Sequence, residues 1–422
     1  MEHVKTGEDF ARPENTAAPI DQRYHYMDNL RALAMLAGVV FHAMLAHSPL
    51  MANLWLSADS QNAAWVDAVA WFSHLFRMPL FFLIAGFFAA YLLRKRGAWG
   101  LVKNRALRIA LPLLVFLPLV TIATIAGIEW ASQHVAQPSP MLGLIKWLQT
   151  LPEQTPPPFS FSHLWFLYQL CLFIPVWLLL SRLGILARLA RFDGLGAWPA
   201  MLLLPILTVP ALLSQTAPHP APDGLMAHGW SFGFYGLFFL FGSYLFGQQT
   251  LLERLRPHVS WMLAGSVALY AVYFYFMPKS VSMEQIMAQG GQPDGLTVEH
   301  IAMAVAGAFV SWWMTLSCLV LGKRLLDRAS GAMRYVADAS YWIYLIHLPL
   351  LFWIQFALLD FDGGLWVKLA LSVVSTMLLG LISYALLVRW TPIGWLLNGR
   401  KSRRRPTAAS HARPIPDGQP SS

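Results

Sequence analysis

Apolar runs of about twenty residues, each closed by charged or turn-forming positions, recur along this chain from Asp28 to Trp390. Roughly 20 apolar residues carry a helix across a hydrocarbon core. With no water there, only helices and closed barrels satisfy their own backbone groups. The runs predict an all-α polytopic membrane protein of about ten transmembrane helices, at 28–47, 70–93, 105–127, 163–182, 197–215, 230–248, 259–277, 299–322, 335–358 and 365–390. Residues 1–27 read as a disordered polar tail, 28–395 as the membrane domain, and 396–422 as a basic, then Pro-rich, tail lying against anionic lipid. The first span reads as a retained signal anchor, because no basic segment, short apolar core and small-residue cleavage site precede it.

The polar positions between the runs are not evenly shared. Alternate connections hold Arg94, Lys95, Arg96, Lys103 and Arg105, then Arg182, Arg188 and Arg191, then Arg254 and Arg256, then Lys323, Arg324, Arg328 and Arg334, with Arg400, Lys401, Arg403, Arg404 and Arg405 in the tail. The other connections hold Lys146 and Lys279, with Lys368 just inside the last span, against Asp59, Asp67, Glu129, Glu153, Asp223, Glu284, Asp294, Asp360 and Asp362. Cation-rich loops stay on the cytoplasmic side. Both termini are therefore expected in the cytoplasm, which requires an even number of crossings. Residues 128–162, with Pro138, Pro140 and Pro156–Pro158, and residues 278–298, with Gly290 and Gly291, read as irregular outer rims.

Composition agrees with the pattern. Only 12% of residues are charged and 57% are hydrophobic, where a soluble domain carries about a quarter charged residues. The net charge of +9 falls mostly in short loops, so it reports orientation, and no nucleic-acid partner is expected. Cys171 and Cys318 sit in apolar runs at different depths, which predicts inert thiols.

The candidate chemistry lies in the charged and titratable residues inside the runs. Arg31 and His42 share the first span, eleven residues apart, which is roughly 16 Å of helix rise. On the predicted topology Arg31 lies at the cytoplasmic end, while His42, His74, Arg77, His163 and His347 fall in the outer half. His74 and Arg77 share a face, being three apart. A guanidinium inside the bilayer costs roughly 3 kcal/mol unless it meets an anion or a wet cavity, so Arg77 calls for a function. His347 reads either as a site residue or as an interhelical hydrogen-bond partner, and His163 either as a site residue or as a helix cap. At the other face Arg105 and Arg108 are three apart beside Arg31, suited to a phosphate-rich ligand or to plain anchoring. Asp28 either supports Arg31 or forms an N-terminal capping pair with it. Trp65, Trp71, Trp165, Trp230 and Trp366 read as an interfacial belt or as stacking platforms for sugar rings.

The spacing of Arg31 and His42 resembles the first span of the membrane-bound acyltransferase 3 family. The resemblance extends to FRMPLFFLIAGFF at 76–88, KNRALRIALP at 103–112, HLWFL at 163–167 and SYWIYLIHLPLL at 340–351. Together with YMDNLRALAMLAGVVFHA, the FRMPLFF stretch is most similar to the glucan-biosynthesis succinyltransferase branch. Asn104 departs from the pattern, since many members carry a second adjacent arginine there. The resemblance implies an acyl-CoA-dependent O-acyltransferase in the cell inner membrane. It would move an acetyl or succinyl group from cytoplasmic acyl-CoA to a hydroxyl of an extracytoplasmic carbohydrate, such as a periplasmic glucan or surface polysaccharide. Acyl-CoA would be the donor substrate; no permanently bound cofactor and no metal site is expected. Within that reading His42, Arg77 and His163 carry the chemistry, Arg31, Arg105 and Arg108 hold the CoA phosphates, and Asp28, His74 and His347 give support. The other function class compatible with buried charge is a transporter or flippase of a lipid-linked saccharide, although paired halves and broken helices are not evident in the sequence.

Overall fold

The computed structural model describes residues 24–152, 159–190, 196–281, 295–328 and 330–398, and contains helices and turns with no strand among them. The predicted rims at 153–158 and 282–294, Arg191 and the outer parts of both tails, 1–23 and 399–422, lie outside the described residues.

Helix α1 runs His25–Leu45, three residues earlier than the hydropathy pattern predicted. Tyr24, Tyr26 and Met27 are buried, and the Tyr26 amide donates to Asp327 Oδ1 at 3.3 Å, which fixes the first turn. Helix α2 spans Ala64–Arg105, a π-helical turn follows at Ala106–Ala110, and α3 runs Leu111–His134. The cations 94–96 continue α2 instead of forming a loop, and the bend sits at Gly97, whose φ of 68° suits glycine. Helix α4 (Pro140–Leu148), capped by Ser139 accepting from the Leu142 amide, replaces part of the irregular rim expected there. Then come α5 (Trp165–Arg182), α6 (Ile185–Ala190), α7 (Ala197–Leu213), α8 (Gly229–Gly233) and α9 (Tyr235–Gly247). The remainder is α10 (Thr250–Leu255), α11 (Val259–Phe276), α12 (Val298–Leu325), α13 (Gly331–Leu359), α14 (Leu365–Ser383) with a π turn at Tyr384–Val388, and α15 (Pro392–Asn398).

Seven helical stretches among the described residues are long and apolar enough to cross a membrane, so the chain is a multi-pass, all-helical membrane protein. One of them, Ala64–His134, is a 71-residue run that takes in the predicted second and third spans. The predicted fifth span is the 17-residue helix α7. The predicted sixth is not continuous. It is interrupted at Phe234, between α8 and α9, in a stretch where Gly229, Gly233 and Gly236 weaken helix propensity.

Small residues let backbones meet where the hydrophobic effect gives no drive between helices. Helices α2 and α9 cross on Gly86 and Gly242. A Cβ at Gly86 would strike the Phe239 carbonyl, and one at Gly242 the Leu83 carbonyl, so each glycine is required by the backbone of the other helix. Aromatic rings fill the space beside this crossing; Phe238 and Trp312 stack at 3.8 Å. Cys171 and Cys318 are both free.

The connection between α1 and α2 folds back over the end of the bundle. Asp59 pairs with Lys368 of α14 at 2.7 Å, each side chain 5% exposed. Ser57 Oγ donates to Gln355 Oε1 of α13, whose amide donates in turn to the Ala43 carbonyl. At the start of α2, Asp67 accepts from Ser48, from the Leu50 amide at 3.1 Å and from Trp71 Nε1 at 3.2 Å. These bonds seat Trp55 above the end of α1.

Candidate active site

Two cavities lie along α1, one towards each end. The larger, of about 670 Å³, is lined by His42, His74, Arg77, His163, His219 and His347. Five of the predicted residues therefore do meet, from α1, α2, α13 and the turn before α5. His42 lies 5.2 Å from His347 between ring centroids, and His347 lies 4.8 Å from His163. His42 also stacks on Trp55 at 5.9 Å. Arg77 is 5% exposed, donates from Nη1 to the Ala37 carbonyl at 3.3 Å, and sits 4.3 Å from the centre of the Phe41 ring, which also stacks on His74 at 5.0 Å. A cation over a ring in a desolvated site is held at about 2 kcal/mol. No ion pair to a carboxylate holds Arg77 among the described residues.

Two of the histidines have their tautomers set by backbone carbonyls. A carbonyl only accepts, so the His347 nitrogen against the Tyr344 carbonyl, Nδ1 at 2.7 Å, carries the proton in the neutral ring. By the same rule His163 donates from Nε2 to the Leu345 carbonyl at 3.3 Å. The opposite nitrogens, His347 Nε2 and His163 Nδ1, are buried with no partner among the described residues, as are Nδ1 of His42 and Nδ1 of His74. The cavity thus gathers several imidazole lone pairs beside one guanidinium, the equipment for moving a proton next to a developing negative charge.

His219, Trp55 and Tyr344 were not anticipated. His219 lies in the connection between α7 and α8, approaches His74 at 5.6 Å and the Tyr235 hydroxyl at 3.2 Å, and burial lowers its pKa to about 4, which keeps it neutral at physiological pH. Its signal in the sequence is a histidine inside the proline-rich run APHPAP, where no helical period assigns a direction. Among the belt tryptophans, Trp71 and Trp165 are buried cavity walls, and Trp230 is buried against His219 at 5.7 Å. Trp65 and Trp366 stack on each other at 4.3 Å, with Trp366 67% exposed.

The second cavity, about 470 Å³, is lined by Asp28, Arg31, Arg96, Asn104, Arg105 and Arg108, with Tyr341 and Asn398 at its edge. The three predicted arginines are brought together, and Arg96 joins them. Asp28 lies inside the first turn, not at the N-cap, which is Tyr24; its carboxylate pairs with Arg31 at 3.5 Å. The π turn at 106–110 places Arg105 and Arg108 at this cavity, and π turns recur at functional positions. The Tyr341 hydroxyl donates to the Arg108 carbonyl at 2.7 Å, pinning that turn to α13. Arg105 Nε is buried with no partner among the described residues.

Residues 24–385 match the family described as acyltransferase domain, acyltransferase 3. The chain belongs to the acyltransferase 3 family. It is accordingly a membrane acyltransferase, and the cavity residues named above, apart from Asn398, lie within the matched region. Among curated proteins it is similar to glucans biosynthesis protein C of Salmonella typhimurium (strain LT2) and of Salmonella typhi, in each case 24% identical over 410 residues, covering 92% of this chain and 98% of the relative. That similarity agrees with the branch resembled by the first two spans. No solved structure matches the chain.

Proposed function

We propose that this acyltransferase moves an acyl group from cytoplasmic acyl-CoA to a hydroxyl of an extracytoplasmic carbohydrate, acting in the cell inner membrane. The observation that carries the reading is the pair of cavities on one helix, lined by arginines at Arg31 and by imidazoles at His42. Ten crossings with both termini in the cytoplasm, the arrangement favoured by the distribution of Lys and Arg, face the arginine cavity to the cytoplasm and the histidine cavity outwards. Arg31, Arg105 and Arg108 hold the nucleotide phosphates, joined by Arg96. The pantetheine arm then reaches along α1 towards His42.

In the histidine cavity His42 removes the proton from the sugar hydroxyl as its oxygen attacks the thioester carbonyl. The tetrahedral oxyanion collapses by breaking the carbon–sulfur bond, releasing CoA thiolate, which is then protonated. Arg77, fixed over Phe41, stabilises the oxyanion. If the group transferred is succinyl, the same guanidinium or His163 receives its free carboxylate, and the glucans biosynthesis relatives favour a glucan as acceptor. His347 and His163, with their tautomers fixed, orient His42 and the incoming hydroxyl, and Trp71 and Trp165 offer faces to a sugar ring.

The test supplies radiolabelled acetyl-CoA and succinyl-CoA to inside-out vesicles containing the protein and a glucan acceptor. Label should appear on the glucan, and should fall to background with His42→Ala. Movement of glycan across the membrane without acyl transfer would favour the flippase reading, to which the interrupted α8–α9 segment is the one structural point in favour.

A further inference from the structure

Met35 and Phe81 stand in the walls of both cavities. Met35 is on α1, four residues beyond Arg31 and seven before His42, roughly 6 Å and 10 Å of helix rise from them. Phe81 is on α2, four residues beyond Arg77. The side chains are 9% and 7% exposed, so the space between the arginines and the histidines is closed by a layer one side chain thick. Behind it, Phe81 rests on Phe166 of α5 at 5.5 Å, and Phe166 meets Tyr344 of α13 edge-on at 6.4 Å. The two halves of the layer differ in kind. Phe81 is braced by other rings, whereas Met35 has an unbranched chain with three rotatable bonds. On the histidine side of Met35, Gly38 leaves open space where a Cβ would stand.

We propose that Met35 and Phe81 form a gate between the two cavities, with Met35 the leaf that moves and Phe81 the fixed post, and that the opening sets the bulk of acyl group reaching His42. This rests on the acyl-transfer reading above. When closed, the gate keeps the outer aqueous phase from the cytoplasmic one; it opens only to a chain that displaces the methionine.

The test uses the full chain in sealed vesicles with three variants. Met35→Leu conserves volume but branches the chain and removes a rotatable bond, so it should keep CoA binding while transfer slows several-fold. Met35→Trp should keep CoA binding, measured with CoA alone, while transfer falls about 100-fold. Met35→Ala should raise the rate with octanoyl-CoA relative to acetyl-CoA by about tenfold. A second readout needs no chemistry. Gly38→Cys, on a background of Cys171→Ser and Cys318→Ser, should react with a charged, membrane-impermeant thiosulfonate from the histidine side only, and from both sides once Met35→Ala is added. Native transfer by Met35→Trp, an unchanged acyl preference in Met35→Ala, or two-sided labelling with Met35 present would each overturn the gate. If the unaltered chain moved no acyl group while labelling stayed one-sided and was released by Met35→Ala, the partition would stand and the acyl cargo would be wrong.

Discussion

The Tyr344 hydroxyl donates to the backbone carbonyl of His163 across 2.9 Å. One turn earlier on α13, Tyr341 donates to the carbonyl of Arg108. A single helix therefore ties down one backbone segment at each cavity, and the two tyrosines are separable by substitution. Tyr344→Phe, which removes about 1 kcal/mol of hydrogen bonding, should lower acyl transfer while leaving CoA affinity unchanged. Tyr341→Phe should weaken CoA binding and leave transfer at saturating donor near native. Titration calorimetry with CoA and a saturating transfer assay give the two readouts; equal effects of both variants on both would contradict this division.

Arg77 is held by the face of Phe41 and one carbonyl, a fit that depends on a planar guanidinium. Arg77→Lys should therefore behave almost like Arg77→Met, with kcat reduced by roughly 100-fold or more, the loss typical of removing one oxyanion donor. Recovery of most activity by lysine would show that charge alone suffices.

At the arginine cavity, replacing Arg105 by Ala removes a group whose Nε is buried without a partner among the described residues. A charge-assisted bond contributes about 1.5–3 kcal/mol, so CoA affinity should fall by tenfold or more, with the contrast shrinking for dephospho-CoA if Arg105 meets the ribose phosphate. Arg31→Ala should act the same way and free Asp28 from its pair.

The buried pair Lys368–Asp59 is a structural clamp. Lys368→Met strands a carboxylate and should cost about 3–5 kcal/mol, seen as a lower unfolding temperature in detergent. The double variant Lys368→Met, Asp59→Asn should recover most of that loss. Because the clamped connection carries Trp55 onto His42, the single variant should also slow transfer in membranes before it unfolds the protein.

Much of this arrangement was legible in the sequence because membrane helices announce themselves by length and because charge inside them is rare. The positions of His42, His74, Arg77, His163 and His347 on helices of fixed rise were enough to bring them to one level. Features set by irregular backbone left no such trace. His219 and Trp55 reach the cavity through connections, where no period fixes direction. The π turn at 106–110 depends on a local choice between two hydrogen-bond registers that the residues ALRIA do not dictate. Arg96 looked like loop charge because Gly97, not the cations, makes the bend. The interruption at Phe234 was hidden inside an unbroken apolar run, since hydropathy counts side chains and is blind to a distortion of one helical turn.

The glycine crossing of α2 and α9 bears on which parts of the molecule are free to move. Leu83 and Phe239 each present a carbonyl three residues before the neighbouring glycine of their own helix, so the seam is toothed in both directions and neither rod slides without lifting off the other. Arg77 and Phe81 ride on one of those rods, a turn or two from the teeth. They form the stationary half of the machine, and whatever rearrangement accompanies turnover falls to the opposite wall, where α1 and α13 pack through side chains, with Gln355 of α13 bonded to the Ala43 carbonyl of α1.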